Sequence, residues 1–210
     1  MLDVFLATSP ADAKRLAPAS ITVVWQGCPE DEVRRHLAAA VRLTEMVNRR
    51  LDRLHAAPRK AAVWDGAVGG QPTLEHKWFG SFSEHKADKV HRTFQAIQRL
   101  LSSPRLKVVC GDMKAGDAFG MAIPVLFPER IWLGRHWRFA HPGKTNHAER
   151  VGTFVHEAAH LCGRWSVYEF LPHKAGPVPA LRLAGPGMRA TENADNYGYY
   201  ALDVVAQTAF

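Results

Sequence analysis

Val155-His156-Glu157-Ala158-Ala159-His160 is the stretch on which the reading of this chain turns. Its surroundings predict a helix. Asn146 is placed to cap it, and Glu149, three residues on, completes a capping-box-like pair. Val151, Phe154, Val155, Ala158 and Leu161 recur at helical spacing, and Gly163 supplies a C-terminal stop. His156 and His160 are four residues apart, so on a helix both rings point the same way and can share one metal ion. Glu157 lies beside them, where it can take a proton from a water that the metal has made more acidic. Zinc suits imidazole ligands with one position left open. A bare H-E-x-x-H also occurs in helices that only half-bury two histidines. The amphipathic frame, the small alanines between the histidines and a carboxylate further on favour the metal reading.

The rest of the chain is compatible with such a site. It has 210 residues, enough for one domain with a real core, and 47% hydrophobic with 22% charged residues is ordinary globular composition. No apolar run approaches the roughly 18 residues of a membrane span. The N-terminal Met1-Leu2-Asp3-Val4-Phe5-Leu6-Ala7 lacks the basic start and the apolar length of a signal peptide. The expected location is therefore the cytoplasm as synthesised, or export by a route needing no cleaved signal. Cys28, Cys110 and Cys162 cannot all pair internally, which fits a reducing compartment and leaves room for one disulfide. Net charge is +7, but the basic residues are spread along the helices, so a solvated face explains them better than nucleic acid does.

Outward from the motif, the pattern alternates helices with short strands. Val4–Ala7 and Ile21–Trp25 read as strands, and Pro29-Glu30-Asp31-Glu32 opens a long helix to about Ala57. Its stripe is Val33, Leu37, Ala40, Val41, Thr44, Val47, Leu51 and Leu54. Ala62–Trp64 reads as a short strand before a Gly-rich loop. Ser83 caps a second helix to about Leu101, with Val90, Phe94, Ile97 and Leu101 inward. Leu106–Cys110, Ala118–Val125 and Arg130–Leu133 are strand candidates, followed by a loop rich in His, Pro and Gly over 134–145. Residues 164–187 read as a long loop, and Thr191 or Asn193 caps a last helix. His136, His141 and His147 read as loop histidines, and Cys162 as a buried thiol. One α+β domain spans 1–210.

Four segments together resemble the deuterolysin-like, or aspzincin, metalloendopeptidases, especially their peptidyl-Lys branch. They are Trp78-Phe79-Gly80-Ser81-Phe82, Arg130-Ile131-Trp132-Leu133-Gly134-Arg135-His136-Trp137, Gly152-Thr153-Phe154-Val155-His156-Glu157-Ala158-Ala159-His160 and Asn193-Ala194-Asp195-Asn196-Tyr197. They stand in that family's order and span roughly 75–205. The resemblance implies a zincin-like α+β metallopeptidase domain with a small sheet. It implies zinc on His156, His160 and a third carboxylate, with Glu157 as the catalytic base.

The departures bear on the details. The family's third ligand is an aspartate nine residues after the second histidine, a position held here by Glu169 without the flanking Gly-Thr. The family's oxyanion tyrosine falls on Pro172, leaving Tyr168, Tyr197 or Tyr199 as replacements. In the peptidyl-Lys branch an aspartate and a glutamate three residues later form an acidic pocket for lysine. The aspartate stands as Asp195, but Gly198 occupies the glutamate position. Asp195 also reads as a helix cap, or as the zinc ligand in place of Glu169.

The expected function is zinc-dependent hydrolysis of peptide bonds in a protein or peptide substrate, with a preference for basic residues. Asp195 and Tyr197 are expected to bind substrate. Delivery as an effector held in check by an inhibitory or immunity protein fits the missing export signal. The rival expectation is a decayed zincin serving as a binding module of an effector, which the lost Gly-Thr and tyrosine favour and the intact His-Glu-His set opposes.

Overall fold

The protein is described from a computed structural model, which describes residues 9–24, 28–111, 118–139, 147–163, 176–185, 187 and 189–208. The strand expected at Val4–Ala7, residues His141, Tyr168, Glu169 and Pro172, and the proposed cap Asn146 lie outside them.

Helix α1 (Pro10–Leu16) is capped by Ser9, whose hydroxyl accepts from the Asp12 amide at 3.2 Å. Strand β1 (Ser20–Val23) follows, then the long helix α2 (Glu30–Ala56). Three acids in the first turn of α2 and Arg53 and His55 in its last turn oppose its dipole as electrostatics favour. All eight residues of its expected stripe are buried. Helix α3 (Lys60–Trp64) stands where a strand was expected. The segment is alanine-rich, and one helical turn carries the indole of Trp64 inward to donate to the Gly80 carbonyl at 2.7 Å. A two-residue hairpin, β2 (Ala67–Val68) and β3 (Gln71–Pro72), turns on Gly69 and Gly70 at φ 60° and 78°, the left-handed pair such a turn requires.

Helix α4 (Leu74–Phe79) was not anticipated, and it ends at Gly80, φ 74°. There the Ala184 backbone crosses so closely that no side chain fits. Helix α5 (Glu84–Leu101) begins at Ser83, whose hydroxyl accepts from the Lys86 amide at 3.2 Å, and buries Val90, Phe94, Ile97 and Leu101 as expected. Strands β4 (Lys107–Cys110), β5 (Gly120–Ala122) and β6 (Arg130–Leu133) complete the main sheet. Its order is β1-β4-β6-β5: the first three strands are parallel and β5 is an antiparallel edge, with Gly120 opposite Leu133.

Helix α6 (Arg135–Phe139) occupies part of the expected loop and leads toward α7 (His147–Gly163), the helix of the H-E-x-x-H segment. Helix α8 (Pro177–Arg182) also replaces part of an expected loop. A 3-10 turn (Arg189–Glu192) and α9 (Ala194–Thr208) close the fold. Helix α7 packs on α2, α5 and α9 and against β5 and β6. Val151, Phe154, Val155, Ala158 and Leu161 are buried in one contiguous core. Burying five such side chains stabilises the domain by roughly 1.5–3 kcal/mol for each large one, which holds α7 rigidly beneath whatever its other face carries. Cys28 and Cys110 form a disulfide, Cα–Cα 6.2 Å, joining the lead-in to α2 to the end of β4. Cys162 is a free thiol, half-buried, which burial pushes up to about 12. Among the described residues no helix is long and apolar enough to cross a membrane.

Candidate active site

On α7 the rings of His156 and His160 meet as the four-residue spacing requires. Their Nε2 atoms lie 3.1 Å apart. Two nitrogens on one tetrahedral zinc, each about 2.0–2.1 Å from it, sit roughly 3.3 Å apart, so the pair is already at bite distance. The other edge of the His156 ring is fixed: its Nδ1 lies 2.9 Å from Oδ1 of Asp195, on the first turn of α9. Burial raises the Asp195 carboxyl, but the hydrogen bond and charge of His156, the Gly176 amide at 3.0 Å and the charge of His160 outweigh it. The net effect holds Asp195 below the usual carboxylate range. An ionised Asp195 accepts only, so Nδ1 of His156 carries the proton and Nε2 keeps its lone pair toward His160. This is the tautomer a metal needs, and the residues present fit a zinc ion. Among the described residues no three metal-binding side chains converge; the position expected to supply the third, Glu169, lies outside them.

Glu157 is buried, with its carboxylate against β5. A Cβ built on Gly120 would sit 2.7 Å from Glu157 Oε1 and 2.8 Å from Thr153 Cγ2. The bare backbone of Gly120 is therefore what lets the edge strand lie beside Glu157. Both face a cleft of about 470 Å³ walled by α7, α9 and the start of β5. Phe119 and His136 line one side, and Asp195, Gly198 and Tyr199 the other.

Of the residues singled out from sequence, His156, Glu157, His160 and Asp195 come together. Tyr197 does not, and this corrects its expected place at the substrate. It is fully buried between Phe79 and Phe94, and its hydroxyl donates to the Thr191 carbonyl at 2.8 Å. At about 100° per residue, positions 195, 198, 199 and 202 of α9 face the cleft while 197, 200, 201 and 204 face the core. Tyr199 is the cleft tyrosine. It stacks on Trp78 with ring centroids 5.5 Å apart, and burial together with the charges of Asp195 and Glu149 pushes its hydroxyl up to about 12.

The neighbouring residues of the Asn193–Tyr197 segment are structural. Asn196 donates to the carbonyls of Trp78 at 2.6 Å and Ala180 at 3.0 Å, tying α9 to α4 and α8. Cleft residues that sequence reading passed over are Glu149, Gly152 and Thr153 on α7, and Gly120 and His136 beyond it. The signal for the first three was present, because 149, 152, 153 and 156 share one helical face. His136 had no such marker.

An H-E-x-x-H helix laid against an antiparallel edge strand, with a cleft between them, defines a zincin-type metallopeptidase domain of α+β class. The profile of the lysine-specific metallo-endopeptidase family, the aspzincins, matches residues 66–202, and the chain belongs to that family. Membership implies zinc and a peptidase acting on protein or peptide chains. Among solved structures the fold is similar to that of a zinc peptidase from Grifola frondosa, at 23% identity and a TM-score of 0.59, over 85% of this chain and 99% of that one. No curated protein matches the chain.

Proposed function

We propose that this protein is a zinc-dependent endopeptidase that cuts protein chains next to basic residues. The convergence of the His156 and His160 Nε2 atoms at 3.1 Å, with Glu157 in the same cleft, carries the reading. Those two nitrogens hold the metal, and Glu169 is the third ligand by its spacing of nine from His160. The zinc supplies a Lewis acid that makes a water acidic near neutral pH and polarises the scissile carbonyl. Glu157 takes the proton from the attacking water and returns it to the departing amine. Its buried position against Gly120 excludes bulk water from that exchange.

Substrate enters as an extended strand along β5, which has no strand partner on its outer edge among the described residues and whose Gly120 end reaches the cleft. Backbone pairing of this kind needs no particular sequence, so the cleft's side chains set preference. Asp195 acts behind His156 rather than on the metal, because it lies on the Nδ1 edge of the ring. The lysine-specific character that names the family, and the acidic residues of the cleft, support a basic preference.

The Cys28–Cys110 bond favours a working place outside the reducing cytosol, consistent with an exported effector and with an inhibitory partner in the cell that makes it. The test is zinc analysis joined to peptide hydrolysis. Wild type binds one zinc per chain and cuts. His156→Ala and His160→Ala lose both properties, and Glu157→Gln keeps zinc and loses about a hundredfold or more in rate. Zinc bound stoichiometrically with no hydrolysis of any protein substrate would return the protein to the binding-module reading.

A further inference from the structure

We propose that Asp52 and His55 on α2, with Asp88 and His91 on α5, form a second divalent-metal site that clips the two helices together. None of the four lines the catalytic cleft. The sequence carries one pattern twice, Asp52-Arg53-Leu54-His55 and Asp88-Lys89-Val90-His91. A carboxylate and an imidazole three residues apart share one helical face. The helices run antiparallel, Asn48 meeting Gln98 and Asp52 meeting His91, so the two pairs cross. His91 Nε2 is 2.8 Å from Asp52 Oδ1, and His55 Nδ1 is 3.7 Å from Asp88 Oδ1. The two rings lie against each other, with centroids 4.5 Å apart and planes inclined by 34°. Facing helices that each contribute a carboxylate and a histidine at this spacing are a recurrent way of holding metal ions in helical bundles.

His55 is the residue that calls for a ligand. Its side chain is only 20% exposed, yet neither ring nitrogen has a hydrogen bond among the described residues. Nδ1 stands too far from Asp88 for one, and Nε2 is buried with no partner. Buried polar groups are nearly always bonded to protein, water or an ion. Charge decides between the last two. In the form that binds metal, with both imidazoles neutral, the two carboxylates leave the cluster negative, which a divalent cation neutralises and a water does not.

As they stand the four side chains pair two by two, and no three meet at one point. The carboxylates are the parts free to turn, because Asp52 is 59% and Asp88 49% exposed while His91 is 14% exposed. The ring nitrogens that face them, Nε2 of His91 and Nδ1 of His55, therefore both look to the solvent side of the seam. Two nitrogens on one zinc ion stand roughly 3.3 Å apart, a separation that rings stacked this closely reach by a small rotation. Gln95 places its amide 3.0 Å from His91 Nε2 and offers a carbonyl oxygen besides. Arg92 approaches Asp88 at 4.0 Å from an exposed position, a weak pairing that a metal displaces. Two imidazoles select zinc, nickel or copper(II) over magnesium or calcium. Open on one side, the site is weaker than the catalytic one. It fills with added metal and empties on dialysis, so the catalytic count stays at one zinc per chain. Filled, it ties the end of α2 to α5, the two helices on which α7 rests.

The experiment removes the catalytic pair, with His156→Ala and His160→Ala, and titrates zinc into the protein by calorimetry. One equivalent binds, and at about a hundred times the dissociation constant the thermal midpoint rises by about 5–10 °C. Magnesium does neither. Adding His55→Ala and His91→Ala removes both the heat and the shift. Should that variant fail to fold, Asp52→Asn with Asp88→Asn, at exposed side chains, lowers zinc affinity by more than about tenfold. Copper(II) in the same background gives an electron paramagnetic resonance spectrum with couplings to two imidazole nitrogens. No zinc bound once the catalytic pair is gone, or a zinc equivalent and a thermal shift that survive the substitutions at 52, 55, 88 and 91, overturns the proposal. The catalytic histidines are absent throughout, so the outcome is independent of whether the protein cuts peptides.

Discussion

Nδ1 of His156 and Oδ1 of Asp195 are 2.9 Å apart, on the far edge of a ring whose Nε2 faces His160. A carboxylate so placed orients the imidazole, selects its tautomer and raises the basicity of the metal-facing nitrogen. Removing such a partner typically costs about 10–100-fold in metal affinity. Asp195→Asn keeps an acceptor for Nδ1–H but no charge, so its zinc affinity should fall near the lower end of that range, and that of Asp195→Ala near the upper. Competition with a chromophoric chelator measures both. A visible spectrum of the cobalt-substituted protein should shift in Asp195→Ala, because the His156 ring is no longer held. Zinc affinity unchanged in both variants would mean that the contact does not serve the metal.

How much of this was legible in the sequence depends on the reach of each signal. The stripes of α2 and α5 and the two-histidine face of α7 are written within single helices, where 3.6-residue periodicity reports burial directly. Short elements were the first to be misread. Ala62–Trp64 has strand-like residues, but its helical turn is decided by where the Trp64 indole finds the Gly80 carbonyl. The His156–Asp195 contact joins two helices far apart in the sequence, and no local pattern encodes their crossing. The same holds for Glu75, buried on α4. It accepts from Arg50 Nε at 2.6 Å and from the Tyr200 hydroxyl at 2.7 Å, a network assembled from three elements. Such charges survive burial only as a set, and the set exists only in the fold.

The disulfide should matter to stability more than to the site. Cys28 and Cys110 are 82 positions apart, and closing so long a loop removes about 4.5 kcal/mol of unfolded-chain entropy in the simplest account. Measured values are commonly nearer 2–4 kcal/mol. Urea unfolding of Cys28→Ser with Cys110→Ser should show a loss in that range, with zinc content retained. Equal midpoints for the oxidised protein and the double variant would show that the bond contributes nothing.

Acid should loosen the contact between α2 and the start of α7. His36 is 2% exposed, with Nδ1 bonded to the Glu32 carbonyl at 2.8 Å and Nε2 2.9 Å from His147 Nδ1. Burial lowers its pKa to about 4, against the upward pull of the Glu32 carbonyl and with further lowering by Arg150 and His147. In the unfolded chain the same histidine titrates near 6.5. Between those values the unfolded state binds the extra proton, so stability rises with pH there. His36 thus contributes stability that is present above pH 6.5 and lost as pH falls toward 4. Between pH 6.5 and 5 the loss amounts to about 2 kcal/mol. Urea titrations at several pH values should show this slope in wild type and a shallower one in His36→Gln. Parallel slopes would assign the acid sensitivity to other groups.

Gly120 should act on the reaction through Glu157. The edge strand can lie beside the base only because position 120 has no side chain; an added methyl would stand 2.7 Å from Glu157 Oε1 and 2.8 Å from Thr153 Cγ2. Real carbon atoms do not approach so closely, so in Gly120→Ala either β5 lifts or the carboxylate turns. β5 is held to β6 by the Gly120–Leu133 pairing, and α7 by its core face, so the side chain of Glu157 is the softest part. A displacement of about 1 Å at a reacting group can cost on the order of a hundredfold. The expected result is a fall in kcat of about 10–100-fold, with zinc content unchanged, because the closest contacts of the added methyl fall on Glu157 and Thr153. If β5 moves instead, substrate pairing suffers and KM rises with kcat largely kept. Steady-state kinetics on one peptide distinguishes the two, and wild-type values for both constants would show that the close approach of Gly120 to Glu157 has no part in the chemistry.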